Sequence, residues 1–239
     1  MLYSKLIIIA LNFLDYFQQK KIIKLINSKF TRPIVVIDIG AHYGETIKLF
    51  NKKLRIKKIY SFEASPKNYQ ILQENISKFS KEKVEIFNFG IGEKLSKNYI
   101  NQTLESSSST INMLNENSKY LQKKLKILNI KNKDSFHHKI PINMITLDDF
   151  IEKKRIDYID LLKIDTEGYE FNVLKGLSKY KQKIKLIYFE HHYDDMIIKN
   201  YKFTDIHKLL RDFDFKMIKK SKMIFRKSFE YVYENEKNY

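Results

Sequence analysis

Two hydrophobic rhythms alternate along the chain. Unbroken apolar runs rich in Ile and Val occur at Pro33–Gly40 (PIVVIDIG), Lys58–Glu63 (KIYSFE), Val84–Phe89 (VEIFNF), Tyr158–Asp165 (YIDLLKID) and Ile184–Glu190 (IKLIYFE). Such runs have no polar face, as expected of strands buried on both sides of a parallel sheet. Between them apolar residues recur at spacings of three and four. Ile47, Phe50 and Leu54 predict a helix from about Tyr43 to Leu54. Tyr69, Leu72, Ile76 and Phe79 predict a second, opened by Ser65 as N-cap and Pro66 in its first turn. Phe171, Leu174, Leu177 and Tyr180 mark a third. Ile206, Leu209, Leu210 and Phe213 mark another, with Thr204 as its cap. A strand at Ile140–Ile145, a short helix at Leu147–Lys154, and tail strands near Phe215–Ile218 and Ser221–Tyr233 complete the pattern. The alternation predicts a doubly wound α/β domain over residues 33–239, with ligands at the carboxyl ends of its strands.

Two stretches break the rhythm. Residues 93–140 are polar, with serine at every position from Ser106 to Ser109 and a predicted helix near Asn115–Leu128. This insertion reads either as a lid or as a surface excursion. Residues 1–32 place Leu2, Leu6, Ile9, Phe13 and Phe17 on one helical face, and carry six basic residues against one acidic. The apolar run Leu6–Leu14 behind Lys5 is too short to span a bilayer, and no small-residue cleavage site follows it. An amphipathic helical extension is expected, docked on the domain or on a second subunit in preference to lying on the inner face of a membrane.

Composition narrows the chemistry. The 239 residues suffice for one sizeable α/β domain. With no cysteine, disulfides, thiolate metal sites and cysteine nucleophiles are excluded, and a cytoplasmic setting is expected. The net charge of +17 invites an anionic partner. Lysine far outnumbers arginine, however, whereas nucleic-acid readers favour the arginine fork. Codon bias toward Lys, Ile and Asn accounts for the charge more simply, with weak anion affinity as a by-product.

Four constellations carry candidate chemistry. The first is the turn Asp38-Ile39-Gly40-Ala41-His42-Tyr43-Gly44, which closes a buried strand and opens a helix. Gly40 permits the tight turn, small Ala41 admits a ligand to the backbone, Gly44 allows close packing of the helix on the strands, and the helix N-terminus offers amides to an anionic group. Its glycines are four apart, which differs from the dinucleotide pattern. The second is Glu63, at the end of the next strand and 19 residues after Gly44, placed for the ribose hydroxyls of a nucleoside. The third is the carboxylate edge Asp165, Glu167 and Glu170, with Lys163 beside it; Asp165 and Glu167 face opposite sides if the strand continues. The fourth is Glu190-His191-His192, in which His191 is a candidate general base. Glu190, His191 and Asp165 are also a conceivable metal trio, although no metal is expected. His137-His138, in the insertion, reads as solvated.

At these positions the chain resembles the FkbM family of S-adenosylmethionine-dependent methyltransferases. The landmarks are a strand ending D-x-G-A-N-x-G, an F-E-P-x-P-x-N segment and an L-K-I-D-x-E-G-x-E segment. They appear here as Asp38–Gly44 with His42 in place of Asn, as Phe62–Asn68 with Ala64 in place of the first Pro, and complete at Leu162–Glu170. Thr146-Leu147-Asp148-Asp149 matches a further T-L-D-D step, and the likeness runs from about Ile34 to His192. It implies a Rossmann-like class I methyltransferase fold: α/β, with a doubly wound, mostly parallel seven-stranded sheet and an insertion after the third strand. It also implies S-adenosylmethionine bound by Asp38, Gly40, Ala41, His42, Gly44, Glu63, Ala64 and Asp165, with Asp165 and Glu167 at the active edge. The expected acceptor is a hydroxyl of a saccharide, glycolipid or small molecule, with Asp165, Glu167 or His191 taking its proton. An RNA methyltransferase and a non-catalytic adaptor binding nucleoside or membrane are the alternatives.

Overall fold

The computed structural model describes residues 19–127, 130, 136–223 and 227–237. The apolar face from Leu2 to Phe17 lies outside the described residues. From residue 19 the chain is helical to 28 (α1), and Ile22, Ile23 and Ile26 are buried against the domain.

Seven strands form the main sheet: β1 (Ile34–Ile39), β2 (Ile56–Phe62), β3 (Val84–Phe87), β7 (Ile159–Ile164), β8 (Ile184–His192), β9 (Phe215–Lys222) and β10 (Ser228–Asn235). Their order is β3-β2-β1-β7-β8-β10-β9. β10 runs antiparallel between β8 and β9, and the remaining pairings are parallel. All six residues of β1 and of β7 are buried, as their unbroken apolar runs predict. Each fully buried Ile or Val contributes roughly 1.5–3 kcal/mol.

Strand alternation feeds two cores. Ile37, Ile39, Leu162, Ile164, Ile187 and Phe189 face α5 (Leu147–Lys154), α6 (Glu170–Lys175) and α7 (Phe203–Asp212). Val36, Leu161, Leu186 and Tyr188 face α1, α2 (Glu45–Lys53) and α3 (Pro66–Ile76). Ser65 caps α3 by accepting the N–H of Asn68 at 3.2 Å. For α7 the capping carboxylate is Asp205, which accepts the Lys202 N–H at 2.7 Å, and Thr204 lies inside the helix.

The polar stretch after β3 contains more structure than its composition suggests. β4 (Gly90–Ile91), β5 (Ser96–Thr103) and β6 (His137–Ile145) form a second sheet in the order β4-β6-β5, and α4 (Lys119–Ile127) follows β5. Ile142 and Met144 of β6 pack with Ile100 of β5 over Ala64 and Tyr169, so this sheet sits at the carboxyl edge of the main one. Among the described residues, no helix is long and apolar enough to cross a membrane.

Candidate active site

The turn after β1 is built against the end of β7. Gly40 has φ +86°, and a Cβ there would lie 1.8 Å from the carbonyl oxygen of Asp165. The ends are tied by Asp165 N–H to Ile39 O (2.9 Å) and by the Gly40 and Ala41 N–H groups to Phe62 O (both 2.9 Å). Gly44, φ +89°, leaves room for Leu72 and Ile76, so the close packing it permits is of helix α3 on the turn, not of helix on strand.

Asp38 is fully buried. It accepts a hydrogen bond from Ser61 Oγ (2.8 Å) and faces Lys163 Nζ at 3.4 Å. Lys163 also meets Asp165 Oδ2 at 3.2 Å. Burial pushes the Asp38 carboxyl up, against the pull of Lys163. Burial alone would push Lys163 down, yet Asp165 and Asp38 more than offset it and hold the ammonium charged.

Glu63 ends β2 beside the turn. Its carboxylate accepts the N–H of His42 (2.8 Å) and of Ser65 (2.9 Å), with Asn68 Nδ2 at 3.5 Å. Burial lifts its pKa to about 7 despite those amides. Ala64, next in sequence, packs under the second sheet. His42 has φ +48° and stacks on Tyr43 at 3.8 Å.

The insertion covers this region and touches three of its parts. Gln102 Oε1 accepts from Ser65 Oγ at 2.5 Å. Ser106 Oγ lies 2.6 Å from His42 Nε2 and donates to Tyr43 OH at 2.8 Å. Thr110 Oγ1 donates to the carbonyl of Glu167 (2.7 Å), and Asn112 Nδ2 to that of Gly168 (2.5 Å). Ser106 itself has φ +59°, a left-handed backbone that non-glycine residues rarely adopt.

β7 ends at Ile164, so Asp165 and Glu167 do not continue its alternation. Glu167 turns back with φ +50°. Burial raises its carboxyl to about 7, with His192 opposing and Asp165 and Glu190 adding to the rise. Glu170 is buried and caps this turn, accepting the Gly168 N–H at 2.8 Å and Tyr201 OH at 2.8 Å.

At the end of β8, successive residues face opposite ways. His191, the base expected from sequence, points with Phe189 into the α6–α7 side, ringed by Tyr193, Tyr201 and Phe203. Burial, with the charges of Lys199 and His192, pushes its pKa down to about 3. The trio Glu190, His191 and Asp165 therefore does not converge on a metal. His192 is the histidine at the carboxylate edge, 3.4 Å from Glu167 and 3.6 Å from Glu190. A strand buried on both faces carries no sign in its sequence of which residue faces which way, so His191 and His192 are told apart only by the pleat. A cavity of about 40 Å³ lies nearby, between α1, α2 and the ends of β7, β8 and β10, and Thr46, Lys163, Asp165, Tyr188, Glu190 and Glu230 line it. It has room only for water.

Comparison with known proteins agrees with this architecture. Residues 38–217 match the Methyltransferase FkbM domain. The solved structure of methyltransferase FkbM from Methylobacillus flagellatus KT superposes with a TM-score of 0.51 at 16% identity, covering 84% of this chain and 44% of that one. The chain thus spans less than half the length of that protein. Magnesium protoporphyrin IX methyltransferase from Synechocystis PCC 6803, solved with bound SAM, superposes with a TM-score of 0.52 at 10% identity, covering 92% of this chain and 79% of that one. No curated protein matches the chain. With the family's domain matched over residues 38–217, most of the chain, the chain belongs to the FkbM methyltransferase family.

Proposed function

We propose that the chain is an S-adenosylmethionine-dependent methyltransferase acting on a hydroxyl of a saccharide or other small molecule. The observation that carries the reading is the contact of Gly40 with Asp165, which sets the cofactor turn directly against the carboxylate edge. The donor set suits the cofactor. Glu63 would take the ribose hydroxyls on lone pairs left by its amide contacts. The Asp38–Gly44 turn and the first amides of α2 would hold the methionine end. When bound, S-adenosylmethionine would supply a sulfonium-activated methyl for the acceptor oxygen, with the neutral thioether as leaving group. The protein's part is alignment and removal of the hydroxyl proton. Glu167 is suited to the proton, being half-buried at the edge with a pKa near neutrality. The segment Ser106–Asn112 acts as a lid over both halves of the site.

Calorimetry with S-adenosylmethionine and its demethylated product tests the reading. Micromolar binding that weakens in Glu63→Ala is expected, and absence of binding to the wild type would refute it. Loss of turnover with retained binding in Glu167→Gln is expected to follow. The +17 charge favours a nucleic-acid acceptor as the second reading. Methylation of RNA, with binding that falls steeply with salt, would establish that one instead.

A further inference from the structure

His192 is restrained more completely than an ordinary surface histidine. Its Nε2 stands 3.4 Å from Glu167 Oε2 and 3.6 Å from Glu190 Oε1, and its Nδ1 faces Asp194 Oδ2 at 3.5 Å. These are close ion pairs, still longer than hydrogen bonds. Asp194 is itself anchored, because its other oxygen accepts the Met196 N–H at 3.0 Å. The ammonium of Lys199 donates to the main-chain carbonyl of His192. The ring thus has carboxylates beside both nitrogens and is tied through its own backbone carbonyl.

We infer that His192 is a positioning residue for methyl transfer: backed by Asp194, it directs a cationic ring at Glu167 and keeps that carboxylate charged and oriented to receive the acceptor's proton. The inference rests on the methyltransferase reading above. His192 is itself unsuited to be the base. Burial would lower its pKa, but Glu167, Glu190 and Asp194, with Glu170 further off, raise it to about 10. At neutral pH it is already protonated. Glu167 also feels Asp165 and Glu190, which raise its pKa, and Lys124, which with His192 lowers it. Without His192 the carboxyl would keep its proton to higher pH and would be a weaker base near neutrality. In the step itself the acceptor's O–H proton passes to Glu167 as the new O–C bond forms. Glu167 then releases it to water, and His192 keeps its own protons throughout.

The test is carboxyl-carbon NMR on the full chain labelled at glutamate, titrated from pH 5 to 9, with the Glu167 signal assigned by its loss in Glu167→Gln. His192→Gln should move the Glu167 midpoint up by about one pH unit, His192→Lys should largely restore it, and Asp194→Asn should move it the same way by less. An unmoved or lowered midpoint in folded His192→Gln overturns the inference. If that variant does not fold, Asp194→Asn decides by the same criterion. Where a saccharide panel read by release of S-adenosylhomocysteine yields an acceptor, His192→Gln should lose about fivefold in turnover at pH 7 and recover by pH 9. An equal loss at every pH also overturns it. Failure of the wild type to bind S-adenosylmethionine would instead refute the methyltransferase reading, whatever the carboxyl titration shows.

Discussion

Replacing Gly40 by Ala should be the most damaging single-methyl change in the turn after β1. The added Cβ would meet the Asp165 carbonyl oxygen at 1.8 Å, whereas ordinary contact begins near 3.4 Å. About 1.6 Å of retreat is needed, and both partners are backbone, so no flexible side chain can yield. The retreat would stretch Asp165 N–H to Ile39 O or the two bonds to Phe62 O, all 2.9 Å long. Losing one such buried bond costs about 1–3 kcal/mol. Holding alanine at φ +86° adds about 1–2 kcal/mol. The expected destabilisation is therefore about 2–5 kcal/mol. Gly44→Ala is the internal control. It shares the positive φ, but its Cβ would meet the side chains of Leu72 at 2.9 Å and Ile76 at 3.1 Å, which can rotate aside. It should cost about 1–2 kcal/mol. The chain has no tryptophan, so circular dichroism during urea or thermal unfolding is the suitable assay. Gly40→Ala should lower Tm by about 10 °C and Gly44→Ala by about 4 °C. Equal losses in the two variants would refute the argument that backbone contact with Asp165 sets the requirement for glycine.

Four further outcomes are expected. Affinity for S-adenosylmethionine should rise about tenfold from pH 6 to pH 8, because Glu63 accepts ribose hydroxyls as a carboxylate and burial has raised its pKa to about 7; a flat calorimetric profile would remove Glu63 from the contact. Lys163→Met should cost about 3–5 kcal/mol near pH 8, since Asp38 and Asp165 lose their shared cation. That loss should shrink as pH falls, because burial raises the Asp38 carboxyl and its protonation removes the unpaired charge, and unfolding curves at pH 8 and pH 5 test both points. His191→Phe should leave cofactor binding unchanged and stability within about 1 kcal/mol at pH 8. It should also remove a sensitivity to acid: the wild-type ring, with a folded pKa of about 3, loses stability as pH falls below the ordinary histidine value, because only the unfolded chain takes the proton. Ser106→Ala should speed cofactor association in stopped-flow measurements by freeing the loop from His42 and Tyr43, and an unchanged rate would show that the loop does not gate entry.

The central sheet could be read from sequence because its strands are covered on both faces and need unbroken runs such as Ile34–Ile39. The same property hid the outcome at Glu190-His191-His192, where only the pleat decides that His191 enters an aromatic cage and His192 meets Glu167. β5 was not foreseen. Its sequence, Ser96–Thr103, has one buried aliphatic residue, Ile100, and its buried Asn101, Gln102 and Thr103 hydrogen-bond among polar neighbours. A strand stabilised by polar contacts with distant residues leaves no periodic mark. The turn and Glu63 stood out because strand ends, scarce glycines and acidic spacing are local. The links from Ser106, Thr110 and Asn112 to the turn and the edge are long-range, and nothing near them in the sequence signals them.

The adjacency of β1 and β7 has a bearing on how the molecule assembles. Asp38 finds its counter-charge on Lys163 about 125 positions downstream, and the whole second sheet is made in between. During synthesis β1, β2 and β3 emerge with one flank of β1 unpaired and Asp38 lacking its cation. The turn after β1 closes only when Asp165 arrives to bond Ile39. Lengthening the intervening segment is thermodynamically mild, since each doubling of a closed loop costs only about 0.6 kcal/mol. The delay is kinetic. A nascent chain that stops short of β7 has the glycines and Glu63 in hand, yet it has neither the wall that shapes the turn nor the carboxylates that complete the site.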